Sequence, residues 1–272
     1  MYRLESFGVP YQVEIERRGA SQALADSALR AVLPPFTKRR LNGEPGRTYR
    51  FSYAGRRRML LVESDAPIAC PTQRSAQDAF EGDLALHVAS ACPDRVFIHA
   101  GVVAWKGRAI LLPGRTFAGK STLVAELIAA GATYYSDEYA VIDTHGLVSP
   151  YPRRLSLRRA GGLPRRTMPR RVGRKRIPVG WVLGARYALE AALEVELLSA
   201  GRTALVLLDN AVAARIASGR VLAAVCAVAS HCRGALVVRG EAKGAVKDLL
   251  PLLSRQGILP SGCLKSKGIP CL

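Results

Sequence analysis

The six cysteines of this chain form no C-x-x-C pair, and no Cys/His set has zinc spacing. That excludes the common structural zinc sites and suggests no disulfide framework. No basic region followed by a continuous apolar core stands at the N-terminus, so no signal peptide is read there. No apolar run approaches the length of about 20 residues that a membrane span needs. Val221 to Ala229 is the longest stretch read as buried. The chain is therefore expected to be cytoplasmic and without a membrane span. Acidic residues are scarce, 21 against 40 Lys and Arg, for a net charge of +19. Such an excess favours anionic partners. It is concentrated: residues 153–176 carry 11 basic side chains, no acid and no aromatic. With no aromatics between the arginines and no recognition fold beside them, nucleic acid is set aside as a partner.

What is present is enough apolar material for a core, 49% of 272 residues, in one large domain or two modest ones. Over residues 1–92 the pattern predicts a small α+β domain. Val9–Ile15, Tyr49–Tyr53 and Met59–Val62 read as strands, Gln22–Val32 as a helix stopped by Pro34-Pro35, and 75–92 as a second helix.

The stretch from Val96 onward organises the rest. Val96–Ala104 is apolar except for His99, Lys106-Gly107 turns the chain, and Ala109–Leu112 is a second buried strand. This predicts a β-hairpin. It leads into Gly114-Arg115-Thr116-Phe117-Ala118-Gly119-Lys120-Ser121, a full G-x-x-x-x-G-K-[ST] match, followed by Thr122 and by helical spacing in Leu123, Val124, Leu127 and Ile128. Strand, glycine loop and helix in that order are what a phosphate cradle requires. Glycines let backbone N–H groups curl round an anion, and the helix start aims unpaired N–H groups at it. Lys120 would reach the β and γ phosphates, and Ser121 would offer its hydroxyl to Mg²⁺.

After the helix and a short strand at Ala132–Tyr135 come Ser136-Asp137-Glu138. Paired carboxylates there can hold a metal's shell and accept the proton of an incoming hydroxyl. His99 reads either as a core histidine or as a partner that tunes Asp137. Asp143, before the turn Thr144-His145-Gly146, reads as structural, and Asp209 as a cap of the next helix.

Phe97-Ile98-His99-Ala100 before a hairpin, the loop at 114–121 and Ser136-Asp137-Glu138 together resemble the catalytic domain of the HPr kinase/phosphorylase family. The resemblance covers 96–160. It implies an α/β fold: a P-loop kinase core of the HPr kinase type, with an antiparallel or mixed sheet, over 93–272, preceded by the small α+β domain at 1–92. It implies ATP (or GTP) and Mg²⁺ as cofactors. It places the proton acceptor at Asp137 and the histidine beside the catalytic centre at His99, with Lys120 and the loop from Gly114 to Thr122 on the nucleotide. Glu138 stands where the family has a second aspartate, and with Ser121 it is a candidate metal ligand. The acceptor implied is a serine of a peptide or protein, as in the relatives that phosphorylate lasso peptides, or a small hydroxyl compound such as free serine. The family's enzyme is a hexamer, so a homo-oligomer is compatible, although no interface signal in the sequence demands one.

The basic segment is expected to be ordered to about Leu157 and then a mobile loop over about 158–176, with Arg158 and Arg159 as candidate phosphate or substrate contacts. Beyond it, Ile177–Leu183, Leu205–Leu208 and Ala235–Val238 read as strands. Leu189–Leu198, Ala211–Ala229 and Ala245–Leu253 read as helices, and 257–272, with Cys263 and Cys271, as a loose tail.

Overall fold

The computed structural model describes residues 1–15, 33–40, 43–44, 46–54, 57–62, 68–114, 119–159 and 162–254. The chain divides into two compact units, Met1–Pro93 and Asp94–Leu272. The predicted helix at Gln22–Val32 and the tail at 257–272 lie outside the described residues.

In the first unit, β1 (Tyr2–Ser6) and β2 (Val9–Ile15) form a hairpin through Phe7 and Gly8, both at positive φ. Such a two-residue turn matches the right-handed twist of the strands. β3 (Lys38–Arg39), β4 (Arg47–Ala54), β5 (Arg57–Val62) and β6 (Ile68–Cys70) complete a sheet in the order β3-β1-β2-β4-β5-β6. Helix α1 (Gln73–Ala91) starts at a capping box in which Thr72 and Ser75 satisfy each other's backbone N–H groups. Its buried residues Ala76, Phe80, Leu84 and Val88 recur at helical spacing, and Phe80 meets the edge of Tyr49 at 5.0 Å.

The second unit opens with β7 (Arg95–Trp105) and β8 (Arg108–Pro113), the hairpin that the sequence predicts, turning at Lys106-Gly107. There follow α2 (Lys120–Ala129), β9 (Thr133–Ser136), β10 (Tyr139–Asp143), β11 (Leu147–Ser149), β12 (Leu155–Arg159), β13 (Gly162–Thr167), β14 (Ile177–Tyr187) and β15 (Glu194–Leu198). Then come α3 (Ala200–Leu208), α4 (Ser218–Ala229), β16 (Arg233–Arg239) and α5 (Ala242–Ser254). Among the described residues the main sheet runs β11-β10-β7-β8-β14-β16-β15, with β9 also on β7. β8, β14 and β16 are parallel and the other neighbours antiparallel. The fold is thus mixed α/β.

Both faces of this sheet are covered, which is why its central strands read as unbroken apolar runs. Along β8, Ala109 and Leu111 belong to the core that includes Val221 and Val225 of α4, whereas Ile110 and Leu112 belong to the core with Leu123 of α2 and Val246 of α5. α2 lies unusually close to β7: a Cβ added at Gly101 would come 2.6 Å from Val124 Cγ2. Val124 is buried and short, so it cannot swing aside. Gly101→Ala is expected to lower unfolding stability by about 1–3 kcal/mol, as overpacking does. Denaturant titration checks this, and a variant as stable as the wild type would show that the helix can shift.

Five expectations differ from the structure. Leu189–Leu198, rich in Leu, Ala and Glu, is helical by composition, but Glu194–Leu198 pairs as edge strand β15 with β16. Tertiary pairing overrides propensity there. Conversely Leu205–Leu208 lies in helix α3, which begins at Ser199, whose side chain accepts the Arg202 N–H. A four-residue apolar run does not distinguish strand from helix. Asp209 consequently sits at the C-terminal end of α3 and does not cap the next helix, which starts only at Ser218. Residues 211–217 are not helical; Ala211 bridges Ile98 of β7. Within the basic segment, β12 and β13 pair antiparallel where a loop is expected.

Candidate functional site

The hairpin delivers β8 to Gly114, whose N–H donates to the His99 carbonyl at 3.3 Å. Arg115, Thr116, Phe117 and Ala118 lie outside the described residues. The chain is described again at Gly119, held at φ +75°, a conformation that suits glycine. Gly119 is the N-cap of α2, and no side chain caps it. The first amides of α2 are therefore not satisfied by a cap, as an anion site needs. Lys120 opens the helix, and its Nζ donates to the Gly114 carbonyl at 2.7 Å, bridging the two described ends of the loop. Thr122, at the same helix start, is exposed.

β9 and β10 both lie on β7, and the two residues between them, Asp137 and Glu138, turn at the same end of the sheet as the loop. The Ser136 hydroxyl fixes that turn by accepting the N–H groups of Glu138 and Tyr139 at 3.1 and 3.0 Å. The Asp137 carboxylate hydrogen-bonds to the Ser121 hydroxyl and the Ser156 amide and feels the Lys120 cation. Burial nevertheless dominates and pushes it up to about 6. Its Oδ1 is buried and has no hydrogen-bond partner. Lys120 is pushed down by burial, against the pull of Asp137.

Glu138 keeps 33% of its side chain exposed, with Oε2 3.7 Å from Nε of Arg153. Burial and Asp137 raise its pKa, and Arg166 opposes them. Arg153 is buried, and burial followed by repulsion from Arg166 lowers it to about 10. It stays cationic at neutral pH. Its carbonyl takes the Tyr134 hydroxyl at 2.7 Å.

His99 lies opposite Tyr139 in the β7–β10 register, with the two rings 4.8 Å apart. His99 is exposed as a residue, so it is not a core histidine; partial burial of its ring and the Lys120 cation lower its pKa, while a bond to the Glu138 backbone works the other way. The groups that set the acidity of Asp137 are Ser121, Ser156 and Lys120. The imidazole thus borders the site through Lys120 and the Glu138 backbone.

The structure brings together His99, Gly114, Gly119, Lys120, Ser121, Asp137 and Glu138. Arg158 and Arg159 are in β12, but their side chains lie outside the described ones. Asp143 closes its turn: Oδ1 accepts the His145 and Leu147 N–H groups at 3.0 Å each, and Oδ2 lies 2.9 Å from Arg176 Nη1. Two residues that sequence reasoning did not single out border the site. Arg153 is one of eleven bases with nothing in the sequence to mark it. Arg239 donates from Nη2 to the Gly119 carbonyl at 3.0 Å; its only signal is a position at the end of an apolar strand, before Gly240.

No group of three or more His, Cys, Asp or Glu residues that could hold a metal occurs among the described residues. Among them, too, no helix is long and apolar enough to cross a membrane. A comparison of the sequence with protein-family models finds no match, and a comparison with curated proteins finds none either.

Proposed function

We propose that this chain is a phosphotransferase that moves the γ-phosphate of ATP, or GTP, onto a hydroxyl, with a serine of a peptide or protein preferred over a small hydroxyl compound. The same reading takes the fold as a P-loop kinase core of the HPr kinase type. The observation that carries it is the placement of Asp137: a half-buried carboxylate bonded to Ser121 of the G-x-x-x-x-G-K-S motif, beside Lys120, with its buried Oδ1 unpartnered. A structural carboxylate would use both oxygens. One left over, next to a phosphate cradle, suits a group that takes a proton.

The residues also fit Mg²⁺. That ion keeps several waters and needs only one or two protein oxygens besides phosphate, so a three-residue cluster is not required. Ser121 Oγ would hold it directly, and Asp137 or Glu138 through water. Bound there, the ion would neutralise charge on the nucleotide's phosphates. The loop amides and Lys120 would hold the γ-phosphate. The acceptor's oxygen forms a bond to the γ-phosphorus as the bond to the bridging oxygen breaks. The nucleoside diphosphate leaves, and the hydroxyl proton passes to Asp137. A carboxylate raised to about 6 is a better base near neutral pH than an ordinary one. The cations Arg153 and Arg166 beside Glu138 would favour acceptors that bring negative charge.

The test is incubation with γ-labelled ATP and Mg²⁺, alone and with serine peptides or free serine. Label transferred to an acceptor is the expected result. Label released only as free phosphate, at a rate indifferent to acceptor, would make the protein a nucleotide hydrolase. Failure to bind any nucleotide would end both readings.

A further inference from the structure

Arg239, the last residue of β16, is only 2% exposed. Its Nη2 donates to the Gly119 carbonyl at 3.0 Å and its Nη1 to the Gly240 carbonyl at 2.8 Å. Its guanidinium lies over the Tyr187 ring, 5.6 Å from the centroid, and the Tyr187 hydroxyl donates to Glu241 Oε1 at 2.9 Å. The Arg239 Nε is buried and has no hydrogen-bond partner.

A core arginine kept for stability alone is a poor choice at such a place. It leaves one donor unsatisfied, and an apolar side chain of similar volume fills a core as well or better. What the guanidinium does, and no apolar side chain can, is seat a charge on the carbonyl of the residue that ends the glycine loop. That carbonyl also receives the Leu123 N–H at 3.2 Å, so Arg239 grips the first turn of α2. The fit is close: a Cβ at Gly119 would come 2.6 Å from Nη2. The contact spans 120 positions of sequence and exists only because β8, β14 and β16 lie side by side in parallel.

We infer that Arg239 is a positioning residue of the nucleotide site: by holding the Gly119 carbonyl it fixes the direction in which the following amides and Lys120 face the phosphates. This rests on the phosphotransferase reading above. The loop's exit is set by a carbonyl-to-guanidinium bond, and the Tyr187 ring and the Gly240 carbonyl fix where that guanidinium stands. The cation itself adds to the positive potential at the start of the helix.

The experiment compares wild type with Arg239→Met and Arg239→Lys in two measurements. One is the pair of KM values, for nucleotide and for acceptor, with kcat. The other is hydrogen exchange at the amides of Lys120–Leu123 without any ligand. Arg239→Met is expected to raise the nucleotide KM about 10- to 30-fold, the scale of a lost charge-assisted bond. The acceptor KM should stay as it is, and exchange at the start of α2 should become faster. Lysine, which keeps a cation that can donate but lacks the planar fork, should restore part of both. Tyr187→Leu, which leaves the guanidinium and removes the ring under it, should give the same split on a smaller scale; it decides the matter if the methionine variant does not fold. Unchanged nucleotide KM and unchanged exchange in the variants of an active wild type would overturn the inference while leaving the phosphotransferase reading in place. A wild type that binds no nucleotide would sink that reading, and this inference with it.

Discussion

Asp137→Asn is expected to lower kcat by about 10²- to 10⁴-fold, the usual contribution of a positioned general base. The nucleotide Kd should move by no more than about threefold, because the loss is confined to the step in which the hydroxyl proton leaves. Asparagine keeps the shape and can still face Ser121 and Ser156, but it takes no proton. Steady-state kinetics with a nucleotide-binding titration check the split. Equal losses in kcat and binding would show instead that Asp137 holds the nucleotide. The same substitution carries an opposite stability signature. Burial raises the Asp137 pKa from 3.8 to about 6, so the folded protein keeps this proton longer than the unfolded chain does. The carboxyl group therefore costs nothing below about pH 4; its cost grows as pH rises through 6 and is then constant. Asparagine resembles the protonated form and escapes this cost. Without ligand, the variant should be more stable than wild type by about 2 kcal/mol at pH 8, with the difference vanishing near pH 4. Denaturant melts at the two pH values measure it; a difference independent of pH would mean that Asp137 is not titrating in this range.

On the phosphotransferase reading Asp137 would weaken the fold and serve turnover, and sequence reasoning reaches it through neighbours in the chain. The hairpin, the glycine loop, α2 and the acids after β9 follow one another within about forty positions. Ser121 and Asp137 meet because the chain leaves the sheet at Gly114 and returns to β7 directly after one helix. Short connections of this kind make local pattern sufficient.

What the sequence conceals depends on elements far apart in it. The order β8-β14-β16 is not written in any motif, so Arg239 could not be placed at Gly119 from its own surroundings. The same blindness explains the exchange of helix and strand across residues 189–208. Glu194–Leu198 becomes a strand because β16 offers an open edge, not because its residues prefer one. Among the eleven bases of 153–176, Arg153 is buried, and its carbonyl accepts the hydroxyl of Tyr134, a residue on the strand before the acids. No periodicity announces such a bond.

Lys120 offers the other large effect, and one that can be seen without turnover. Lys120→Met should lower kcat/KM by about 10³-fold or more, because it removes at once a donor to the transferring group and part of the charge that binds the nucleotide. The substitution keeps the length of the side chain, so α2 and its packing through Leu123 and Val124 stay as they are. The second readout is His99. Its imidazole is held below the ordinary histidine value first by burial and then by the Lys120 cation. Removing that cation leaves only burial acting downward, so the His99 pKa should rise in the variant. Asp137 should move the same way, above its present value of about 6, for it loses the cation that favours its charged form. A proton NMR titration of the imidazole follows His99 directly in the ligand-free protein, where no question of nucleotide affinity enters. An imidazole that titrates alike in both proteins would mean that the ammonium does not act on His99, and the proposed grouping of His99 with Lys120 would have to be abandoned even if activity were lost.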